Sequence, residues 1–160
     1  MATAKNRIAR SVAPKSVFAE AQPLVDSTVD YLQGDLLFLD SGLIKPVTAD
    51  ADGATILGIA PQTIVDGKPK AVYSGTAVDA AQAIEAIAGP VYGVIAKLKL
   101  KSGDVFAAGD LVYATAVDAQ TVSSAGTNPV GVFQGPGVTA VAGSEGLVLL
   151  GAVINGVLQF

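Results

Sequence analysis

Among its 160 residues the chain has no cysteine, no histidine and no tryptophan. Without cysteine there is no disulfide, no thiolate nucleophile, no thiolate metal ligand and no signature of redox compartment. Without histidine the chain lacks the commonest general base and a principal zinc ligand. Most familiar hydrolytic mechanisms are therefore closed to it. Charge is sparse at 15% of residues, and no segment approaches the roughly 18 uninterrupted apolar residues of a membrane span, although 51% of the chain is hydrophobic. Much of that share is Ala and Val. The nucleophile elbow, the phosphate-binding loop and the dinucleotide fingerprint are all missing, because the glycines at Gly131, Gly135 and Gly137 have the wrong spacing. The Asp residues mostly stand beside Gly, where a turn role outweighs catalysis. No enzyme activity, catalytic residue, cofactor or metal is expected.

What is present is a repeated β pattern. Leu98, at the head of LKLKSGDVFAAGDLVYAT, opens a stretch with two Gly-Asp turns, Gly103-Asp104 and Gly109-Asp110, between runs rich in Val, Leu, Phe and Tyr. Such pairs relieve backbone strain at turns. The second has an echo upstream, since Gly34-Asp35-Leu36-Leu37-Phe38 matches Gly109-Asp110-Leu111-Val112-Tyr113. Each copy is followed by an apolar strand around a glycine, Ile56-Leu57-Gly58-Ile59-Ala60 and Pro129-Val130-Gly131-Val132-Phe133. The pattern predicts one β unit written twice.

The length suits one domain with a real core, expected over residues 24–160 behind an extended basic arm, residues 1–23. Strands are expected at residues 24–31, 36–40, 43–47, 55–65, 70–73 and 91–100, then from 109 to 133 and at 147–154 and 157–160. Ser41-Gly42, Asp66-Gly67 and Asn155-Gly156 serve as turn dipeptides. The final hairpin is expected to pin the C-terminus within the structure. Residues 48–53 read as a turn; Asp50-x-Asp52-Gly53 resembles the middle of a calcium loop but lacks the remaining ligands. Only residues 76–88 suggest a helix, with Ala80, Ala83, Ile84 and Ile87 on one face and Gly89-Pro90 as the stop. The same residues also alternate as a strand would, and both readings stand. The fold class is mainly β, a compact sandwich or barrel-like domain with two similar units and at most one short helix.

Charge is unevenly placed. Residues 1–20 hold Lys5, Arg7, Arg10 and Lys15 against Glu20 alone, a balance of +3, so the other residues carry −7 of the net −4. A basic arm on an acidic body suits an acidic partner surface, because opposite potentials steer association. Extended, about 20 residues reach ~66 Å, enough to cross neighbouring subunits. The apolar Val17 and Phe18, between Pro14 and Pro23, are candidate anchors for it. The same segment superficially fits an organellar transit peptide but has no apolar core of a secretory signal. Further along, Lys97, Lys99 and Lys101 alternate with Ala96, Leu98 and Leu100. They form either a solvated strand face or a second surface for an acidic partner.

Two families share parts of this grammar. Gly103-Asp-Val-Phe-Ala-Ala-Gly109-Asp-Leu111 resembles the turn of lipoyl and biotinyl carrier domains, but those carry a modified lysine after the turn, and the last lysine here is Lys101. Lys101-Ser-Gly-Asp-Val-Phe-Ala-Ala-Gly-Asp-Leu-Val-Tyr113, a loop with Val117-Asp118-Ala119, and Asn128-Pro-Val-Gly-Val-Phe133 together resemble the small β proteins that decorate the heads of tailed bacteriophages. Gly34-Asp35-Leu36 and Leu57-Gly58-Ile59-Ala60 fit the same pattern, so the resemblance covers about residues 30–155. The Ala-rich 76–88 segment and the basic arm lie outside it.

The resemblance implies a capsid decoration, or cement, protein. Such a protein is made in the host cytoplasm and sits on the outer surface of the virion. It is commonly a homotrimer bound to the major capsid protein, without direct contact to nucleic acid or membrane. The capsid-binding arm would act through Lys5, Arg7, Arg10, Lys15, Val17 and Phe18. The second expectation is a receptor- or glycan-binding β module, although sugar stacking usually uses exposed Trp or Tyr.

Overall fold

The computed structural model describes residues 8–15, 17, 28–69 and 89–160. They form a mainly β protein in which apolar alternation and turn dipeptides set the elements. Strand β1 (Ile8–Lys15) is followed by β2 (Leu36–Asp40) and β3 (Leu43–Pro46), a hairpin closed by Ser41-Gly42 with φ of 52° and 81°. Positive φ at both central residues is the requirement of the tight hairpin turn. The same geometry recurs at Asp66-Gly67, between β5 (Ile64–Val65) and β6 (Lys68–Pro69), and at Asn155-Gly156, between β14 (Ala152–Ile154) and β15 (Val157–Gln159).

A short 3-10 helix, Asp50–Thr55, leads into β4 (Ile56–Ile59). Next come β7 (Tyr92–Leu100), β8 (Val105–Phe106), β9 (Leu111–Ala114), β10 (Thr121–Ser123), β11 (Pro129–Phe133), β12 (Val138–Thr139) and β13 (Glu145–Leu150).

Five of these strands close a ring. Strand β7 pairs with β10, β10 with β9, β9 with β11, β11 with β13, and β13 returns to β7; all are antiparallel except β7–β10. Closure removes sheet edges, and the interior is filled by Val94, Ala96, Leu98, Val112, Val130, Phe133, Val148 and their buried neighbours. Strand β1 lies antiparallel on β7, with Ser11 opposite Val94 and Lys15 opposite Tyr92. Beside the barrel sits a three-stranded sheet in the order β3-β2-β4. Its Leu36, Ile56 and Ile59 join the barrel core, while Leu37, Ile44 and Leu57 form a second core with Tyr31 and Ile64.

Four boundaries differ from expectation. The expected 147–154 strand is two strands parted at Gly151, β13 in the barrel and β14 paired with β15. The described end of the expected 24–31 strand is a turn with a single bridge, Tyr31 to Ile64, because the chain reverses at Leu32 to Asp35 directly afterwards. The expected 55–65 strand is two strands parted at Pro61, which has no N–H to give to a ladder. Residues 48–53, read as a turn, lead into the 3-10 helix, in which Asp52 takes the N–H groups of Thr48 and Ala49 at 2.7 and 3.0 Å. The candidate helix at 76–88 and the short strand at 70–73 lie outside the described residues. No helix among the described residues is long and apolar enough to cross a membrane.

Candidate interaction surface

The duplicated sequence pattern is a duplicated hydrogen-bond pattern. In the first unit Gly34 donates to the Ala60 carbonyl (2.9 Å), and Ala60 donates back to Asp35 (2.8 Å). In the second, Gly109 donates to Phe133 (2.8 Å) and Phe133 to Asp110 (2.8 Å). Both carboxylates cap their own turn, Asp35 accepting from the Leu32 N–H and Asp110 from the Ala107 N–H, each at 2.8 Å. The strand pairing also repeats. Leu36 and Leu37 face Ile59 and Gly58 as Leu111 and Val112 face Val132 and Gly131, and the register slips one residue further on in both, at Leu57 and at Val130. Gly103-Asp104 is a third use of the turn, its backbone locked to Ala140 by two 2.8 Å bonds. Its carboxylate departs from the pattern and reaches across to Ser123 Oγ (2.6 Å) and the Ser124 N–H (2.8 Å).

Two seams join the first unit to the barrel. At one, Gln120 Nε2 donates to Asp35 Oδ1 over 2.8 Å in the interior, beside the Leu36 N–H to Ala119 carbonyl bond (2.7 Å). Burial pushes the Asp35 carboxyl above the usual carboxylate range, against the pull of its hydrogen bonds from Leu32 and Gln120. At the other, Asp50 accepts from the N–H groups of Thr127 (2.9 Å) and Asn128 (3.3 Å). The approach is close enough that a methyl group on Gly53 would stand 2.5 Å from the Asn128 carbonyl. Asp50 and Asp52, the pair that resembled part of a calcium loop, thus point into different turns. Among the described residues no group of three or more His, Cys, Asp or Glu is placed to hold a metal ion.

The expected arm residues are only partly in view. Lys5, Arg7 and Phe18 lie outside the described residues. Arg10 and Lys15 are on β1, Arg10 opposite Ile95 of β7. Lys15 Nζ donates to the Phe160 carbonyl over 3.0 Å and stands 6.0 Å from the Tyr92 ring centroid. Val17 is exposed. On the outer side of β7, Lys97 pairs with Glu145 at 3.2 Å and Lys99 with Asp118 at 3.1 Å, whereas Lys101 follows the strand at an exposed position. Burial opposes ionisation of Asp118, but hydrogen bonds from Thr121, the Gln120 N–H and Lys99 outweigh it and hold the carboxyl below its usual range.

Two further surface features escaped the sequence reading. A shallow cleft of about 480 Å³ beside β2 and β3 is lined by Val29, Asp30, Phe38, Asp40, Lys45 and Asp52, among others. Lys45 sits 2.7 Å from Asp40 and, with Ser41, holds that carboxyl below its usual range. The second feature is an apolar row on the outside of the barrel. Leu111 faces Val132, Val132 faces Leu149 and Leu149 faces Ile95, so four aliphatic side chains stand side by side across β9, β11, β13 and β7. Leu147, opposite Lys97, extends the row; it is 39% exposed and Leu111 45%. The signal was present in strings such as Leu147-Val148-Leu149-Leu150, apolar at every position, which reads as a strand buried on both faces.

No protein-family model matches the chain, and a search of the curated proteins finds no match.

Proposed function

We propose that the chain is a structural virion protein that binds the outside of a tailed-phage capsid and stabilises the shell. The observation that carries this reading is the segregation of charge on a β body whose carboxylates serve as turn caps and seams. Residues 28–69 hold six Asp against Lys45 and Lys68, a balance of −4. Arg10 and Lys15 on β1, Lys97 and Lys99 along β7 and Lys101 just beyond it make a basic run, in which Glu145 pairs with Lys97 and Asp118 with Lys99. A basic edge continuous with a basic N-terminal segment suits attachment to an acidic shell surface, and many copies of a modest contact add up when the shell presents them in an array. The resemblance of residues 30–155 to decoration proteins supports the same reading. In it the major capsid protein is the partner, and the arm, through Lys5, Arg7, Arg10, Lys15, Val17 and Phe18, clamps neighbouring subunits.

The test is co-sedimentation with undecorated tailed-phage shells, using the full chain and a Lys5→Glu, Arg7→Glu variant, which leaves β1 and its pairing with β7 in place. Pelleting of the full chain and loss of most of it in the variant is the expected result. A folded full-length chain that stays in the supernatant would exclude the reading. The next candidate would then be a receptor- or glycan-binding module, for which the cleft over Phe38, with its Asp40, Lys45 and Asp52 rim, is the place to look by glycan screening.

A further inference from the structure

The ring of five strands closes without β1, yet part of its wall is covered only by β1. Ile95 and Ala96 of β7 pair both with β1 and with β13, so those two strands lie on opposite sides of β7. Lys99 pairs both with β10 and with β13, which puts β10 on the same side as β1. There β10 reaches only Lys99 and Leu100. Residues 92–96 are therefore a slot one strand wide, and among the described strands it is β1 that fills it. Left open, such an edge presents unpaired N–H and C=O groups to any extended chain.

The strand in the slot is poorly fitted to it. Across Ile8–Lys15 the register breaks twice, between Ile8 and Arg10 and between Ser11 and Lys15. Its sequence runs Ile-Ala, Arg-Ser, Val-Ala, two apolar residues, two polar and two apolar, so it lacks the alternation that would specify one register. Pro14 has no N–H to give to the ladder. The end of the strand is held by a clasp instead. The Lys15 stem runs beside Gly93 of β7, 3.8 Å from where a β-carbon would stand, and its Nζ donates to the Phe160 carbonyl over 3.0 Å.

We propose that residues 92–96 of β7 form a strand-binding site, that β1 is its replaceable occupant, and that an extended peptide pairing along β7 takes its place. The ligand is recognised by its main chain, as in other additions of a strand to a sheet edge. A basic side chain at the Lys15 position adds the bond to Phe160. Displacement returns the eight residues of β1 to the basic N-terminal segment, lengthening its reach by about 26 Å. The site belongs to the body's own sheet, so the inference stands whether or not the chain binds a capsid.

The experiment is fluorescence anisotropy of a labelled peptide of residues 6–16, titrated with the full chain and with two full-length variants. One variant is Arg10→Pro with Ser11→Pro. These neighbours stand opposite Ile95 and Val94, and successive N–H groups along a strand point to opposite edges, so one of the two faces β7 and is lost. The other variant is Lys15→Glu, which removes the clasp. Far-ultraviolet circular dichroism reports folding of each. In the wild type the tethered β1 competes at high effective concentration, so the peptide is expected to bind the double-proline variant at least about tenfold more tightly, with Lys15→Glu in between. Lys15→Glu carries the test should the double variant fail to fold. A peptide bearing the same two prolines is expected not to bind. Affinity for a folded variant no greater than for the wild type, or equal binding of the proline-bearing peptide, overturns the proposal.

Discussion

The turns at Gly34-Asp35 and Gly109-Asp110 close with the same donors, acceptors and cap, and the strands that leave them slip register at the same place. Their surroundings are opposite. The first unit buries Leu36, Leu37, Leu57 and Ile59, with its Asp35 buried and bonded to Gln120; the second exposes its Asp110 and Leu111. Local sequence is enough to build the unit, and tertiary placement decides whether its outer row becomes core or surface. The difference can be broken or sharpened by paired substitutions at equivalent positions.

The largest effect is expected at the paired glycines. Gly58 has φ of 119°, and an added methyl would lie 2.1 Å from the Val91 carbonyl, so Gly58→Ala strains its own backbone and parts Ile59 from Val91. A loss of about 4 kcal/mol or more is expected in denaturant unfolding. Gly131→Ala, at the same place in the second unit, meets the Leu149 carbonyl at 2.5 Å but without a positive φ; about 2–3 kcal/mol is expected, as for other overpacking. Equal losses would deny that the first unit is the more tightly held.

Asp35→Ala comes next. It removes the acceptor of the Leu32 N–H and of the buried Gln120–Asp35 hydrogen bond, a cost of about 1–3 kcal/mol, whereas Asp110→Ala at an exposed cap costs about 0.5–1.5 kcal/mol. Urea midpoints of the two variants give the comparison directly.

Dependence on pH separates Asp35 by sign from the other shifted carboxylates, since Asp40 on the same strand is lowered, as are Asp104 and Asp118. Asp35 is raised in the folded state, so its contribution is fully present below the ordinary carboxylate range and is lost as pH rises through its folded value. Asp104 and Asp118 of the barrel are lowered, so theirs is present above that range and is lost as pH falls through their folded values. Melting temperature followed from neutral pH into acid is expected to fall for the wild type. It is expected to fall less steeply for Ser123→Ala, which removes a hydrogen bond that lowers Asp104. An unchanged profile in that variant would remove Asp104 from the explanation.

The smallest effect is expected at Tyr31, whose hydroxyl is buried without a hydrogen-bond partner among the described residues and whose ionisation burial drives far upward. Tyr31→Phe removes an unpaired polar atom and keeps the ring, so the urea midpoint is expected to stay level or rise slightly.

Much of this architecture could be read from residues alone. The strand Leu36–Asp40 and the three turn dipeptides declared themselves because Gly, Asn and Asp relieve a positive φ wherever they occur. The repeat of Gly34-Asp35 at Gly109-Asp110 was visible for the same reason. What stayed hidden depends on contacts between residues far apart in the chain. Nothing local marks that Gln120 meets Asp35, 85 positions away, or that Asp50 caps the loop at Thr127. Nor does an apolar residue announce whether its face of a strand is covered, which is why Leu36 and Leu111 look alike in sequence and differ in burial. The lysines of β7 were legible as an alternating face, but their partners Glu145 and Asp118 were not, because those pairs cross strands and loops.

The proposal that the chain cements a capsid is tested most directly by differential scanning calorimetry of empty shells, recorded bare and at saturating chain with bound copies counted. A rise in the shell's transition temperature that tracks occupancy is the predicted result. Full occupancy with an unmoved transition would contradict it, leaving a protein that rides on the shell without strengthening it.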